Sequence, residues 1–443
     1  MTAGASTALL TDHYELTMLA SALRDGTAGR RCVFEAFART LPDGRRYGVV
    51  AGTGRLLEAL ADFRFGADEL DFLARTGVVD EQTCRWLADF RFRGDIDGYP
   101  EGELYFPDSP VLTVSGTFAE SVLLETIVLS VLNHDTAVAS AAARMVTAAG
   151  DRPIIEMGSR RTHEQAAVAA ARAAYLAGFA STSNLAAGQR YGVPTAGTSA
   201  HAFVLLHAHE IDAFRAQLAT LGVGTTMLVD TYDTPAGIAL AVEAAGTGLG
   251  AVRIDSGDLA IAAREARVQL DRLGATGTRI VVSGDLDEHA LAALAAAPVD
   301  AYGVGTSVVT GSGAPTAGFI YKLVEVDGHP VAKRSVAKAT YGGRKIAVRR
   351  HTADDVATEE IIAAMVPPPP APHDRALQVP LMRGGEVVAA GEGAGPGTGR
   401  AGLDVARARV RRCLQTLPWD GLKLSHGTPV IPTVHLPAPS VEG

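Results

Sequence analysis

Lysine is scarce in this 443-residue chain: it stands at Lys322, Lys333, Lys338, Lys345 and Lys423, and arginine supplies the other 35 basic residues. Aspartate and glutamate occupy 49 positions, so the formal net charge is −9 and the sequence pI is near 5.8. That balance excludes a broad basic surface for nucleic acid or anionic membrane, and an anionic ligand must be met by locally concentrated charge. Cysteine is equally sparse. Cys32, Cys84 and Cys413 are odd in number, far apart and without C-x-x-C spacing, which excludes a disulfide framework and a zinc knuckle and fits a reducing compartment. Long apolar runs are missing too: none free of charge approaches about 18 residues, and the opening MTAGASTALLTD has neither a basic stretch nor a long apolar one. The expectation is a cytoplasmic protein that spans no membrane. With 47% hydrophobic residues and only 48 Gly and 22 Pro, the composition also excludes a disordered or collagen-like chain.

What is present is a regular alternation. Thr117-Phe-Ala-Glu120 and Thr162-His-Glu-Gln165 each read as a capping box opening an apolar helix, and Gly178 is placed to close the second. Between helical stretches lie short apolar runs, each ending in a polar or glycine-rich phrase: PIIEMGSRR, GFASTSN, VPTAGTSAH, TTMLVDTYDT, GAVRIDSGD, RIVVSGDLD and VDAYGVGTS. Strands alternating with helices at this spacing predict parallel βα units that can close into a barrel, with the active site in the loops after the strands. The expected organisation is an N-terminal α+β domain over 1–110, completed by part of 320–390, and an α/β barrel over 111–320. A C-terminal region over 350–443 carries the Pro/Gly-rich stretches Val366–Pro372 and 391–399. The fold class is thus an irregular (β/α) barrel with an N-terminal α+β domain and a small C-terminal appendage.

Several strand-end phrases hold side chains capable of chemistry. Arg253 and Asp255 are two residues apart, so both face one side at the end of a strand, where a carboxylate can bind ribose hydroxyls or a divalent ion. Asp258, directly before LAIAAREARVQL, offers a helix cap as its alternative role. His201 follows Gly197-Thr-Ser-Ala, and Asp230 ends TTMLV. If these two strands are neighbours, the carboxylate can fix the imidazole tautomer and raise its nucleophilicity; the alternative is a structural histidine. Tyr302-Gly-Val-Gly-Thr-Ser307 and Ser283-Gly-Asp285 on successive units can form a phosphate cradle or a pair of tight rim turns. His207, His209 and Glu210 run into a helix with no third ligand at metal-site spacing, so they read as solvated helix-start residues. The clustering of Lys322, Lys333, Lys338 and Lys345 is either a phosphate-binding segment or chance.

Taken together, LLTDHYELTM, FEAFARTLPDGRRYGVVAG, EMGSRRTHEQA, GTSAHAFV, LVDTYDT, RIDSGDL, VSGDLDE, YGVGTSVVT and GAPTAGFIYKLVEVDG resemble nicotinate phosphoribosyltransferases, in order, over roughly residues 9–345. The resemblance implies transfer of 5-phosphoribose from phosphoribosyl pyrophosphate to nicotinate, giving nicotinate mononucleotide and pyrophosphate in NAD salvage. It also implies coupling to ATP hydrolysis, with Mg²⁺, in a homodimer with shared active sites. It makes His201 the phosphohistidine and Asp230 its orienting partner. Arg253 and Asp255 become contacts to the phosphoribosyl group and its pyrophosphate. Ser283, Gly284, Asp285, Gly303, Gly305 and Thr306 become the ribose and 5-phosphate cradle. Tyr14 is implied as the ring stacked on nicotinate from the partner subunit, with Arg160 and Ser183 also at the base. Nicotinamide enzymes carry an aspartate where Ser183 or Asn184 stands, which favours the acid as substrate. Rival readings are a nicotinamide or a quinolinate phosphoribosyltransferase, the latter with shorter chains lacking the GTSAH histidine, or a non-catalytic nucleotide-binding barrel.

Overall fold

The computed structural model describes residues 6–333, 341–388 and 400–436. They form two compact units, one made of residues 1–140 and 314–443, the other of residues 141–313. Lys338 and the glycine-rich stretch 391–399 lie outside the described residues.

The second unit is built on six short parallel strands: β1 (Ile154–Glu156), β2 (Ser181–Thr182), β3 (Thr226–Leu228), β4 (Ala251–Ile254), β5 (Arg279–Gly284) and β6 (Ala301–Val304). Their order across the sheet is β2-β1-β6-β5-β4-β3. That is the cyclic order of a barrel left open between β2 and β3. The strands read as unbroken apolar runs because both faces are covered; Ile280, Val281 and Val282 of β5 are all buried. The phrase VPTAG adds no full strand at the opening. Only Thr195 bridges to Thr182, through the Pro194 carbonyl and the Ala196 amide, since proline brings no amide of its own to a ladder. The expected neighbour relation between VPTAG and TTMLV is thereby corrected: β3 is the free edge of the sheet.

The polar phrases after the strands divide their aspartates between two tasks. Asp233, Asp258 and Asp287 are N-caps whose carboxylates accept amides of the helices Thr234–Ala245, Leu259–Arg272 and Glu288–Ala293. Asp258 is therefore the cap of its helix. Asp230 and Asp255, earlier in two of the same phrases, remain at the strand ends. The helix Glu164–Ala177 begins one residue later than its sequence suggests: His163, not Thr162, is the N-cap, and its Nδ1 accepts from the Gln165 amide at 3.3 Å. Gly178 closes this helix at φ +130°, a backbone conformation side chains rarely adopt. The capping box at Thr117 and Glu120 forms as read.

The first unit has a seven-stranded sheet in which Arg31–Ala38 pairs antiparallel with Phe319–Val326 on one side and Leu112–Thr117 on the other. Residues beyond 340 supply Val379–Arg383 and Glu386–Val387 to this sheet and form the whole of a second, four-stranded sheet with Lys345–His351 and Ala357–Ala364 at its centre. Phe34 stacks on Tyr321 with ring centroids 4.9 Å apart in the core between sheet and helices. A buried ion network ties later chain to earlier chain. Arg349 donates to Glu103 and to Glu360, each at 2.6 Å; Arg375 donates to the other Glu103 oxygen at 2.5 Å, and the Tyr99 hydroxyl donates to Glu360. Lys345 is spent on structure as well: it is buried and paired with Glu35 at 2.9 Å, which gives this member of the lysine cluster a packing role. Residues 118–149 are, among those described, long and apolar enough to cross a membrane by composition, and 67% of their most apolar window is buried in the structure.

Candidate active site

The open barrel of the second unit contains a cavity of about 830 Å³. Inward-facing residues of the strands, Ile155, Thr226, Arg253 and Val281, form its wall, and Arg160, Ser183, His201, Asp255 and Ser283 close in from the ends of the strands. Strand register explains the convergence. Val281 is level with Arg253 across the β5–β4 pair and Ser283 with Gly303 across β5–β6, so side chains that follow each strand meet on one rim.

Arg253 reaches across the opening, its Nη1 donating to Thr198 Oγ1 at 3.2 Å and its Nη2 to the Ser199 carbonyl at 3.3 Å. Its Nε is buried without a partner. Burial disfavours its charge, nearby Asp255 and Asp230 restore part of it, and the proximity of Arg160 opposes it again. Two guanidiniums in one cavity, with hydroxyls of Ser159, Ser183, Thr198 and Ser283 around them, make an anion-binding surface in an otherwise acidic protein. Asp255 is held by the Ser283 hydroxyl, 2.5 Å from its Oδ1.

Asp230 lies behind His201 with its side chain 2% exposed. Its Oδ2 accepts the Asp255 amide at 2.8 Å and the Ser256 hydroxyl at 2.7 Å. Its Oδ1 is buried, has no hydrogen bond and stands 3.9 Å from His201 Nε2. His201 Nδ1 meets Thr231 Oγ1 at 3.1 Å. The carboxylate is thus fixed from one side and leaves its other oxygen for the imidazole, an arrangement suited to orienting a nucleophilic or phosphate-accepting histidine.

Of the other residues singled out from the sequence, Gly284 ends β5 at φ +142° and Asp285 beside it is exposed. Gly303 lies inside β6, where a Cβ would come within 2.8 Å of Met157 Sδ and 3.0 Å of Ser283 Cβ, so the neighbours pack closely on it. Gly305 and Thr306 begin the short helix Thr306–Val309. Tyr14 lies on the helix His13–Asp25 of the first unit and is 44% exposed. His209 is exposed, but Glu210 is buried, which corrects its reading as a solvated residue. Among the described residues no three His, Cys, Asp or Glu side chains are grouped to hold a metal ion. Sequence reasoning overlooked Thr198, Thr231 and Ser256, which position the charged groups, and Glu156 with Thr182, bonded to each other at the ends of β1 and β2. For Thr231 and Ser256 the position just after a strand was the available signal.

Residues 9–133 match the family model of the nicotinate phosphoribosyltransferase N-terminal domain, and residues 153–354 match that of the nicotinate phosphoribosyltransferase family. The chain is 64% identical to nicotinate phosphoribosyltransferase pncB1 of Mycobacterium tuberculosis, over 97% of this chain and 95% of that protein. It is 38% identical to nicotinate phosphoribosyltransferase of Bacillus subtilis, over 77% and 72%. The crystal structure of human nicotinic acid phosphoribosyltransferase superposes with a TM-score of 0.82 at 26% identity, covering 97% of this chain and 98% of the human one. A parallel open barrel with an arginine- and carboxylate-lined mouth, matched along both its units, places this chain in the nicotinate phosphoribosyltransferase family.

Proposed function

We propose that the cavity transfers 5-phosphoribose from phosphoribosyl pyrophosphate to the ring nitrogen of nicotinate, releasing nicotinate mononucleotide and pyrophosphate for NAD salvage. The bond from C1 of the ribose to pyrophosphate breaks and the bond from C1 to the pyridine nitrogen forms. That nitrogen carries no proton at neutral pH, so no general base is needed. The barrier lies in positive charge on the ribose and negative charge on the departing pyrophosphate. The observation that carries this reading is the pairing of opposite charges at one rim: Arg253 and Arg160 for the phosphates and the nicotinate carboxylate, Asp255 for the ribose. Ser183 joins Arg160 at the base, and Ser283, Gly284, Asp285, Gly303, Gly305 and Thr306 form the ribose and phosphate cradle. Tyr14 of a second subunit stacks on the pyridine ring in a homodimer, and the enzyme works in the cytoplasm.

ATP enters as a coupled substrate. Its γ-phosphoryl group passes to His201, oriented by Asp230, and water later releases it as phosphate. Mg²⁺ would be carried mainly by phosphate oxygens, and Asp255, the one carboxylate among the described cavity-lining residues, would hold it from the protein side. Charge developing on pyrophosphate would be neutralised by such an ion when bound. The test is phosphate incorporation from γ-labelled ATP. The wild-type protein acquires alkali-stable, acid-labile label and His201→Ala acquires none while keeping ATP-independent transfer. Undiminished label in His201→Ala would place the acceptor elsewhere.

A further inference from the structure

Glu156 ends β1 and is 1% exposed, yet it makes no ion pair among the described residues. Burial pushes its carboxyl above the usual range, and two hydrogen bonds pull it back: the Thr182 hydroxyl donates at 2.5 Å and the Gly158 amide donates to the other oxygen. A buried carboxylate with no cation costs stability, so its place in the fold calls for something it does. What it does is join two loops. Gly158 leads into Ser159 and Arg160, and Thr182 directly precedes Ser183; all three following residues line the cavity. The same junction is laced by the Ser183 amide donating to the Glu156 carbonyl at 2.8 Å, the Asn184 amide to Thr182 Oγ1 at 3.0 Å, and Asn184 Nδ2 to Ser159 Oγ at 3.0 Å.

We infer that Glu156 is a positioning residue for recognition of the nicotinate carboxylate: by holding Gly158 and Thr182 on its two oxygens it registers Arg160 with Ser183, so that both converge on one ligand. The inference rests on the reading above that Arg160 and Ser183 contact nicotinate. Only a carboxylate of this length serves. A glutamine offers one acceptor and sets its amide hydrogens against a second donor, and an aspartate is one methylene too short to span both partners. The loop is also tightly packed at this point. Gly158 is packed so closely that a Cβ would come within 2.2 Å of Val309 Cγ1 and 3.0 Å of the Gly305 carbonyl, which leaves this part of the loop little room to shift.

The test uses the full-length enzyme and the variants Glu156→Gln, Thr182→Val and Arg160→Ala, with KM for each substrate, kcat and melting temperature measured. Losing one anchoring hydrogen bond should raise the KM for nicotinate about tenfold in Glu156→Gln and in Thr182→Val, with a much smaller change for phosphoribosyl pyrophosphate. Melting of Glu156→Gln should stay near wild type, because removal of a buried charge offsets the lost bond. An unchanged nicotinate KM in both variants would overturn the inference, as would KM values rising equally for both substrates together with a lowered melting temperature. Arg160→Ala separates the two levels. If it raises the nicotinate KM and the Glu156 and Thr182 variants do not, the positioning role alone fails; if none of the three does, the assignment of Arg160 to nicotinate fails with it.

Discussion

Two charged clusters, one around Arg349 in the first unit and one around Arg253 in the second, treat buried charge differently. In the first, Glu103, Arg349, Glu360 and Arg375 have almost every charged atom matched; both terminal nitrogens of Arg349 are used, and only its Nε has no partner. Burial alone would raise the Glu103 carboxyl, but Arg349 and then Arg375 outweigh it and hold it at about 2. At the cavity of the second unit, charged groups are left half-finished: Asp230 Oδ1 and Arg253 Nε have no partner, and Glu156 has hydrogen bonds but no cation among the described residues. A saturated network has nothing left to offer a ligand and serves the fold. An open one is kept at a cost in stability and serves the substrate.

The sharpest way to break this comparison is to take one charge from the saturated network. Arg349→Met leaves Glu360 buried without a cation and Glu103 with Arg375 alone, and should cost about 3–5 kcal/mol of stability, read as a lowered denaturant midpoint, while turnover of the molecules still folded stays near normal. Asp255→Asn should do the reverse, lowering turnover by about 10² to 10³ with little change in melting temperature, checked by steady-state rates beside calorimetry. Near-normal turnover with lower melting would make Asp255 a structural residue. Acid should act through the first unit. Glu103 is held below its unfolded value of about 4.3, so its contribution is full above that pH and is lost as pH falls through about 2. Acid titration by circular dichroism should show this loss in wild type and a shallower one in Glu103→Gln.

Smaller effects sharpen the same contrast. Tyr14→Ala should weaken nicotinate binding by about 1 kcal/mol, the value of an offset ring stack, without destabilising the fold, because the ring is half exposed. Mixed with Asp255→Asn after subunit exchange, it should restore one intact site per heterodimer. Asp258→Ala removes only a cap and should cost about 1 kcal/mol in thermal unfolding with turnover preserved.

The contrast also explains what could be read ahead of the structure. The strand-end phrases were legible because parallel strands buried on both faces need apolar runs, and those runs stop abruptly where the polar loops begin. Asp230, Asp255, Arg253 and His201 could be placed on one rim for that reason. Distinguishing the two aspartates within a phrase was harder. Asp255 and Asp258 have the same chemistry, and only the helix start at Leu259, directly after Asp258, decides which one is spent on backbone amides. The edge at β3 was hidden because VPTAG has the composition of a strand but makes a single bridge. Glu156 and Thr182 went unnoticed since their partners are a backbone amide and each other, contacts that leave no pattern in sequence. Lys345 was misleading in the opposite way: a cation beside other cations suggests phosphate, while its partner Glu35 lies 310 positions earlier.

The most direct measurement supplies purified protein with phosphoribosyl pyrophosphate and either nicotinate or nicotinamide, with and without ATP, and follows mononucleotide and pyrophosphate. The account predicts nicotinate mononucleotide and equimolar pyrophosphate, increased by ATP, with little or no product from nicotinamide. No mononucleotide from either base would contradict it.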